Sequence, residues 1–125
     1  MHDGLTLRLP GDPEAAAKAR RALGKLRGDL DPPLMETLRL LVTELVTNSV
    51  RHTGAETIVL RILVGRSAVW TEVTDAGPGF DPPARAAKDG TGWGLFLVER
   101  LAERWGVNQS DAGTKVWFEL RRAPG

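Results

Sequence analysis

The stretch Glu44-Leu-Val-Thr-Asn48-Ser-Val-Arg-His52 lies inside an apolar pattern that repeats at helical spacing. On a wheel of about 100° per residue, Leu34, Met35, Leu38, Leu41, Val42, Leu45, Val46 and Ser49 fill one contiguous arc. Glu44 and Asn48 fall just outside its edge, in line with Thr37 and Arg51, and so project toward the rim of the core. A helix of this kind needs only an apolar stripe and a solvated back. A carboxylate and a carboxamide one turn apart at that rim are either an i,i+4 surface pair, worth roughly 0.2–0.5 kcal/mol, or part of a site.

Working outward, Asp31-Pro32-Pro33 starts this helix, which is expected to run to about His52 with Gly54 closing it. Upstream, Leu5, Leu7 and Leu9 alternate with polar neighbours as a short strand that stops at Pro10-Gly11. Asp12-Pro13-Glu14 is a helix-start signal, and the Ala/Arg-rich segment after it predicts a helix to about Gly28. Downstream, Ile58, Leu60, Ile62 and Val64 alternate with Val59, Arg61 and Leu63. After a turn at Gly65-Arg66-Ser67, Val69, Thr71, Val73 and Asp75 share one face of a second strand, and Trp70, Glu72 and Thr74 the other. A long Gly-, Pro- and charge-rich loop covers 76–91. Leu95, Val98, Leu101, Ala102 and Trp105 then mark a helix, and a last hairpin pairs about 106–110 with 115–121. That order implies an α+β two-layer sandwich, a mostly antiparallel mixed sheet with about three helices on one face.

Length and composition set the bounds. A chain of 125 residues is read as one domain, 1–125. Hydrophobic residues make up 42% and charged residues 26%, ordinary for a soluble globular protein. A net charge of +1 gives no reason to expect direct nucleic-acid binding or an anionic membrane as the main partner. No apolar run approaches the ~20 residues of a membrane helix, and the N-terminus lacks a signal-peptide layout. The absence of cysteine removes disulfide and thiolate chemistry and fits a cytoplasmic protein. His2 and His52 are too few and too far apart for a histidine-rich metal site.

Two further constellations carry chemistry. In Thr74-Asp75-Ala-Gly77-Pro-Gly79-Phe80 the strand pleat puts Asp75 inward with Val69 and Val73. A buried carboxylate needs a donor, and Gly77 and Gly79 let the backbone turn and approach a flat ligand. The plainer alternative is a strand-end aspartate that starts a β-turn. In Gly90-Thr91-Gly92-Trp93-Gly94-Leu95 the glycines open a helix, whose free N–H groups and dipole suit phosphate. A flexible loop leading into the helix is the alternative here. No Walker-type GxxxxGK[ST] and no strand–GxGxxG–helix unit is present. Taken together the three sites describe one ligand: a flat amino-bearing base at Asp75, phosphates at Gly92 and Gly94, and a cation near Asn48. Mg²⁺ keeps waters and takes few protein oxygens beside substrate phosphates, so one Asn carbonyl suffices.

These residues, in this order, resemble the GHKL ATP-binding superfamily of gyrase, chaperone ATPases, mismatch-repair ATPases and histidine-kinase catalytic domains, with its Bergerat-type fold. Glu44-Leu-Val-Thr-Asn48 is similar to the N-box, Asp75-Ala-Gly77-Pro-Gly79 to the first glycine box and Gly92-Trp-Gly94-Leu95 to the second. Gly113-Thr114 resembles the terminal Gly-Thr element, and the likeness spans about 31–120. Within the superfamily the likeness is to small bacterial anti-sigma-factor serine/threonine kinases and their stand-alone relatives. The resemblance implies ATP and Mg²⁺ as cofactors, with Asn48 as metal ligand and Asp75 on the adenine amino group. It implies Gly77 and Gly79 shaping the base pocket, Thr114 supporting it, and Thr91, Gly92, Gly94 and Leu95 at the phosphates. Glu44 would be the catalytic base that activates a serine of an anti-anti-sigma (STAS-type) protein.

Arg51 and His52 stand where histidine kinases usually carry Lys and an aromatic residue. Arg51 reads equally as a phosphate contact or a solvated helix-end cation, and His52 as a helix-terminal residue with no phosphoacceptor role. Arg85 and Lys88, the cations of the 80–91 segment, are phosphate contacts or solvated loop charges. No phosphoacceptor helix pair precedes the domain, so a self-contained histidine kinase is not expected. The expected function is a protein-serine kinase that also sequesters a sigma factor. The alternative is a nucleotide-gated binding module with negligible catalysis, motivated by Val59, Leu63, Trp70 and Trp117 on the outer sheet face, where a homodimer or partner contact is expected. A slow ATPase of the chaperone or gyrase kind is a third reading, disfavoured because those couple hydrolysis to further domains.

Overall fold

Alternating leucines make the first strand, β1 (Asp3–Pro10), which pairs antiparallel with β2 (Thr57–Val64), Leu5 opposite Ile62 and Leu9 opposite Ile58. The computed structural model describes residues 3–26, 30–53, 55–75, 93–110 and 113–122. Beyond Pro10, Asp12 makes an Asx turn, its carboxylate accepting the Glu14 N–H at 2.9 Å. Helix α1 (Ala15–Leu23) follows and gives way to a 3₁₀ turn at Gly24–Leu26, earlier than the expected helix end at Gly28. Ala15, Ala19 and Leu23 form its buried stripe at i, i+4, i+8 spacing.

Helix α2 (Pro32–Thr53) starts on Pro32, whose missing N–H costs nothing in a first turn. Its stripe is the one the wheel drew: Leu38, Leu41, Val42, Leu45, Val46 and Ser49 are buried, while Leu34 and Met35 pack at the core margin. β2 and β3 (Ala68–Asp75) form a hairpin closed by the Gly65 N–H to the Ala68 carbonyl at 2.9 Å. Both strands bury alternate residues, which is the pattern of a sheet covered on one face. Helix α3 (Trp93–Leu101), β4 (Arg104–Ser110) and β5 (Gly113–Arg121) complete the described chain.

The five strands lie in the order β1-β2-β3-β5-β4 and every pairing is antiparallel. The expected mixed component is therefore absent among the described residues. The inner faces of the strands, through Ile58, Leu60, Ile62, Val69, Val73, Val116 and Phe118, pack with α2 and Val98 of α3 into one core.

Two boundaries differ from expectation, for one reason. The helical period was expected to reach Trp105, yet α3 ends at Leu101 and Trp105 sits on β4 opposite Phe118. The Ala102 N–H still bonds the Val98 carbonyl (2.8 Å), but the Glu103 N–H turns to the Glu119 carbonyl (2.8 Å), where strand pairing takes over. Trp105 faces the core from either element, so burial alone did not separate the two assignments. β4 accordingly begins at Arg104 and its turn is tighter than expected, closing at Ser110 opposite Gly113.

The outer face carries the two tryptophans. Trp70 and Trp117 stack with centroids 4.5 Å apart and planes within 9°, and Trp70 Nε1 donates to Glu72 at 2.8 Å. Trp117 lies over Gly106 of β4; a Cβ there would come within 2.6 Å of the indole. Arg104 and Glu119 pair across β4 and β5 at 2.8 Å.

One core residue is out of character. Thr71 is fully buried, and its hydroxyl has no hydrogen-bond partner among the described residues. Thr71→Val keeps the shape and removes a desolvated hydroxyl, so it should raise stability by about 1–2 kcal/mol. Thermal unfolding should show a melting temperature several degrees higher; an unchanged or lower value would mean the hydroxyl has a partner in solution.

Candidate functional site

At one end of the inner sheet face the ladders line up Leu9, Ile58, Asp75, Thr114 and Gln109 in a single row across the five strands. Its middle is polar. Asp75 is 3% exposed and Thr114 1%, opposite each other on β3 and β5, where facing side chains lie about 4.5–5.5 Å apart at Cβ. Leu9 and Ile58 make the other side of the row apolar. The inward register read for Asp75 is thus the observed one.

The Thr114 hydroxyl has no hydrogen-bond partner among the described residues. A buried, unanswered hydroxyl beside a buried carboxylate is unfavourable in a structural strand and suits a ligand edge. Gly113, just before it, has φ 139°, a conformation an L side chain rarely adopts. That glycine lets β5 start directly after the tight turn and sets Thr114 into the row.

Helix α2 packs across β3 and β5. Ser49, a polar member of its stripe, is 7% exposed. Glu44 and Asn48 are both half-buried at the stripe's edge, as the wheel places them. The simple i,i+4 hydrogen bond between them is not formed, and among the described residues neither has a hydrogen-bonding or ionic partner. Arg51, in the last turn of the helix, is exposed. Gly94 and Leu95 lie in the first turn of α3, where backbone N–H groups lack helical partners. Gly77, Gly79, Thr91, Gly92, Arg85 and Lys88 lie outside the described residues, as does the side chain of His52.

No group of three or more His, Cys, Asp or Glu capable of holding a metal occurs among the described residues. The donors on α2, one carboxamide and one carboxylate, fit a hard cation whose other ligands are phosphate oxygens and water. Gln109, which closes the polar row, was missed by sequence reasoning. Its signal was the hairpin register, which the expected longer turn displaced.

A five-stranded antiparallel sheet with helices packed on one face is the fold of the GHKL class. The chain belongs to the histidine kinase-like ATPase domain family, whose pattern spans residues 9–120. It is similar to a serine-protein kinase RsbW of Listeria monocytogenes, 32% identical over 122 aligned residues that cover 82% of this chain and 78% of the relative. An RsbW of Listeria innocua is 31% identical over the same coverage. Among solved structures, the RsbU and RsbW domains of Rv1364c from Mycobacterium tuberculosis share the fold with a TM-score of 0.75 at 22% identity, covering 98% of this chain and 33% of that one. A blue-light activated histidine kinase domain from Erythrobacter litoralis follows the same fold with a TM-score of 0.59 at 20% identity, over 89% of this chain and 60% of the other. No described helix is long and apolar enough to cross a membrane.

Proposed function

We propose that the protein binds ATP with Mg²⁺, transfers the γ-phosphate to a serine of an anti-anti-sigma (STAS-type) partner, and sequesters a sigma factor when that partner is phosphorylated. The observation that carries the nucleotide site is the buried Asp75 beside the unanswered Thr114 hydroxyl. The kinase reading rests on Glu44 and on the likeness to serine-protein kinases.

In this reading Asp75 accepts a hydrogen bond from the adenine amino group and Thr114 supports the base edge. The first turn of α3, with Gly94 and Leu95, presents N–H groups to the phosphates, joined by Thr91 and Gly92. Gly77 and Gly79 shape the base pocket. Mg²⁺, held by the Asn48 carboxamide oxygen, would neutralise phosphate charge. Glu44 takes the proton of the acceptor serine as its oxygen attacks the γ-phosphorus; the bond to the bridging oxygen breaks and ADP leaves. Leu40, one turn before Glu44 and 41% exposed, offers an apolar contact for a protein substrate beside that base. The acting compartment is the cytoplasm. Incubation with labelled ATP, Mg²⁺ and a cognate anti-anti-sigma protein should move label to a serine of that protein. ATP binding without transfer would leave the alternative, a nucleotide-gated binding module.

The outer sheet face supports a second reading, a homodimer or partner contact. Leu63 is 37% exposed there, beside the stacked Trp70 and Trp117. Trp70→Glu would set a second carboxylate beside Glu72 and should shift the mass seen by light scattering from dimer to monomer. A wild-type protein that is strictly monomeric, with partner binding intact in the variant, removes this reading.

A further inference from the structure

Among the described residues the exposed large hydrophobic side chains are Leu40, Leu63, Phe96 and Leu101. Phe96, 45% exposed, lies in the first turn of α3, the turn assigned to the phosphates above. At about 100° per residue it stands some 160° around the helix from the buried Val98, so it points away from the core. Helical side chains lean toward the N-terminus, which sets the Phe96 ring over the start of α3. Arg100, one turn on, leans the same way, its guanidinium carbon 5.6 Å from the centroid of the Phe96 ring. It is exposed and has no carboxylate partner among the described residues.

We infer that Phe96 and Arg100 form a docking contact for the acceptor protein, which presents an apolar side chain and a carboxylate beside its serine. The inference rests on the kinase reading above and adds to it a recognition surface on α3. Transfer brings the serine oxygen to about 3–3.5 Å from the γ-phosphorus, so the acceptor's surface closes over the helix start. A standard interface covers about 800 Å² of each partner, a disc roughly 16 Å in radius. Phe96 is about 4.5 Å along the axis from Trp93, the first residue of α3. The exposed ring therefore falls beneath an acceptor seated for transfer. The guanidinium stacked on it is already oriented, so a carboxylate on its free edge gains a charged hydrogen bond with little side-chain ordering. A lone exposed phenylalanine is ordinary. One that carries an unpaired arginine beside the proposed phosphate site is placed for a partner. Leu40 continues this surface on α2, which packs against α3.

Steady-state phosphotransfer from ATP to a STAS-type anti-anti-sigma protein labelled by the wild type tests the contact, with thermal melts checking that each variant folds. Phe96→Ala should raise the acceptor KM about tenfold and Arg100→Ala about three- to tenfold, the usual effect of truncating an interface aromatic or arginine. The kcat and the KM for ATP should stay within about twofold of wild type, the pattern of lost partner binding. Phe96→Leu should recover most of the acceptor affinity, and Leu101→Ala, at the far end of α3, should match wild type. Acceptor KM values within about twofold of wild type in both Phe96→Ala and Arg100→Ala overturn the inference and leave the kinase reading intact. An equal rise in the KM for ATP moves Phe96 to the nucleotide site and overturns the inference as well. If the wild type binds ATP but labels no STAS-type protein, the kinase reading fails and this inference fails with it.

Discussion

Asp75→Asn is expected to weaken ATP binding by about ten- to a hundredfold, as loss of a charged hydrogen-bond acceptor in a dry pocket costs roughly 1.5–3 kcal/mol. Asp75 is 3% exposed and faces an unanswered hydroxyl across one ladder position. An asparagine keeps the volume but turns one of two acceptor oxygens into a donor, so one edge of the side chain mismatches its surroundings whichever way it flips. Calorimetry with ATP reads the effect, and tripolyphosphate serves as the control, since it carries no base. Unchanged ATP affinity in a folded variant would refute the contact. Equal losses for both ligands would point to a collapsed pocket instead.

Glu44→Ala separates binding from chemistry. The carboxylate is half-buried at the edge of the α2 stripe and has no described partner to keep it occupied, unlike Glu72, Glu103 and Glu119 on the outer face, which are tied to cations. If it removes the serine proton, its loss should lower phosphotransfer by roughly 10²–10⁴-fold. ATP affinity should change little, since the adenine and phosphate contacts proposed above lie elsewhere. Transfer that persists in the variant would sink the assignment as base. A parallel loss of ATP affinity would make Glu44 a binding residue.

Much of this frame was legible in the residues. The α2 stripe could be drawn because eight positions agree on one 3.6-residue arc, and six of them are buried. The inward register of Asp75 followed from Val73 and Val69, one and three pleat periods earlier, a rule that needs no partner strand. What failed needed information from elsewhere in the chain. Trp105 satisfies both a helical and a strand pattern, and only the Glu103–Glu119 backbone bond decides between them. The antiparallel sense of every strand pair depends on strand order, which local periodicity does not contain. Gln109 and Thr114 look unrelated until the ladder sets them opposite. The i,i+4 pairing of Glu44 and Asn48 looked plausible from spacing, yet adjacency on a helix permits a bond without requiring one.

The position of β3 and β5 inside the sheet bears on how the ligand is met. Each of these strands is held by a neighbour on both sides, so neither can peel away without breaking two ladders at once. Amides flanking Asp75 and Thr114 should therefore exchange with solvent only when the whole domain opens. If Asp75 and Thr114 read the base as proposed, that half of the site is preorganised, and little ordering entropy is lost there when the nucleotide arrives. In the proposed reading, selectivity for the base is thus built into the scaffold before any encounter.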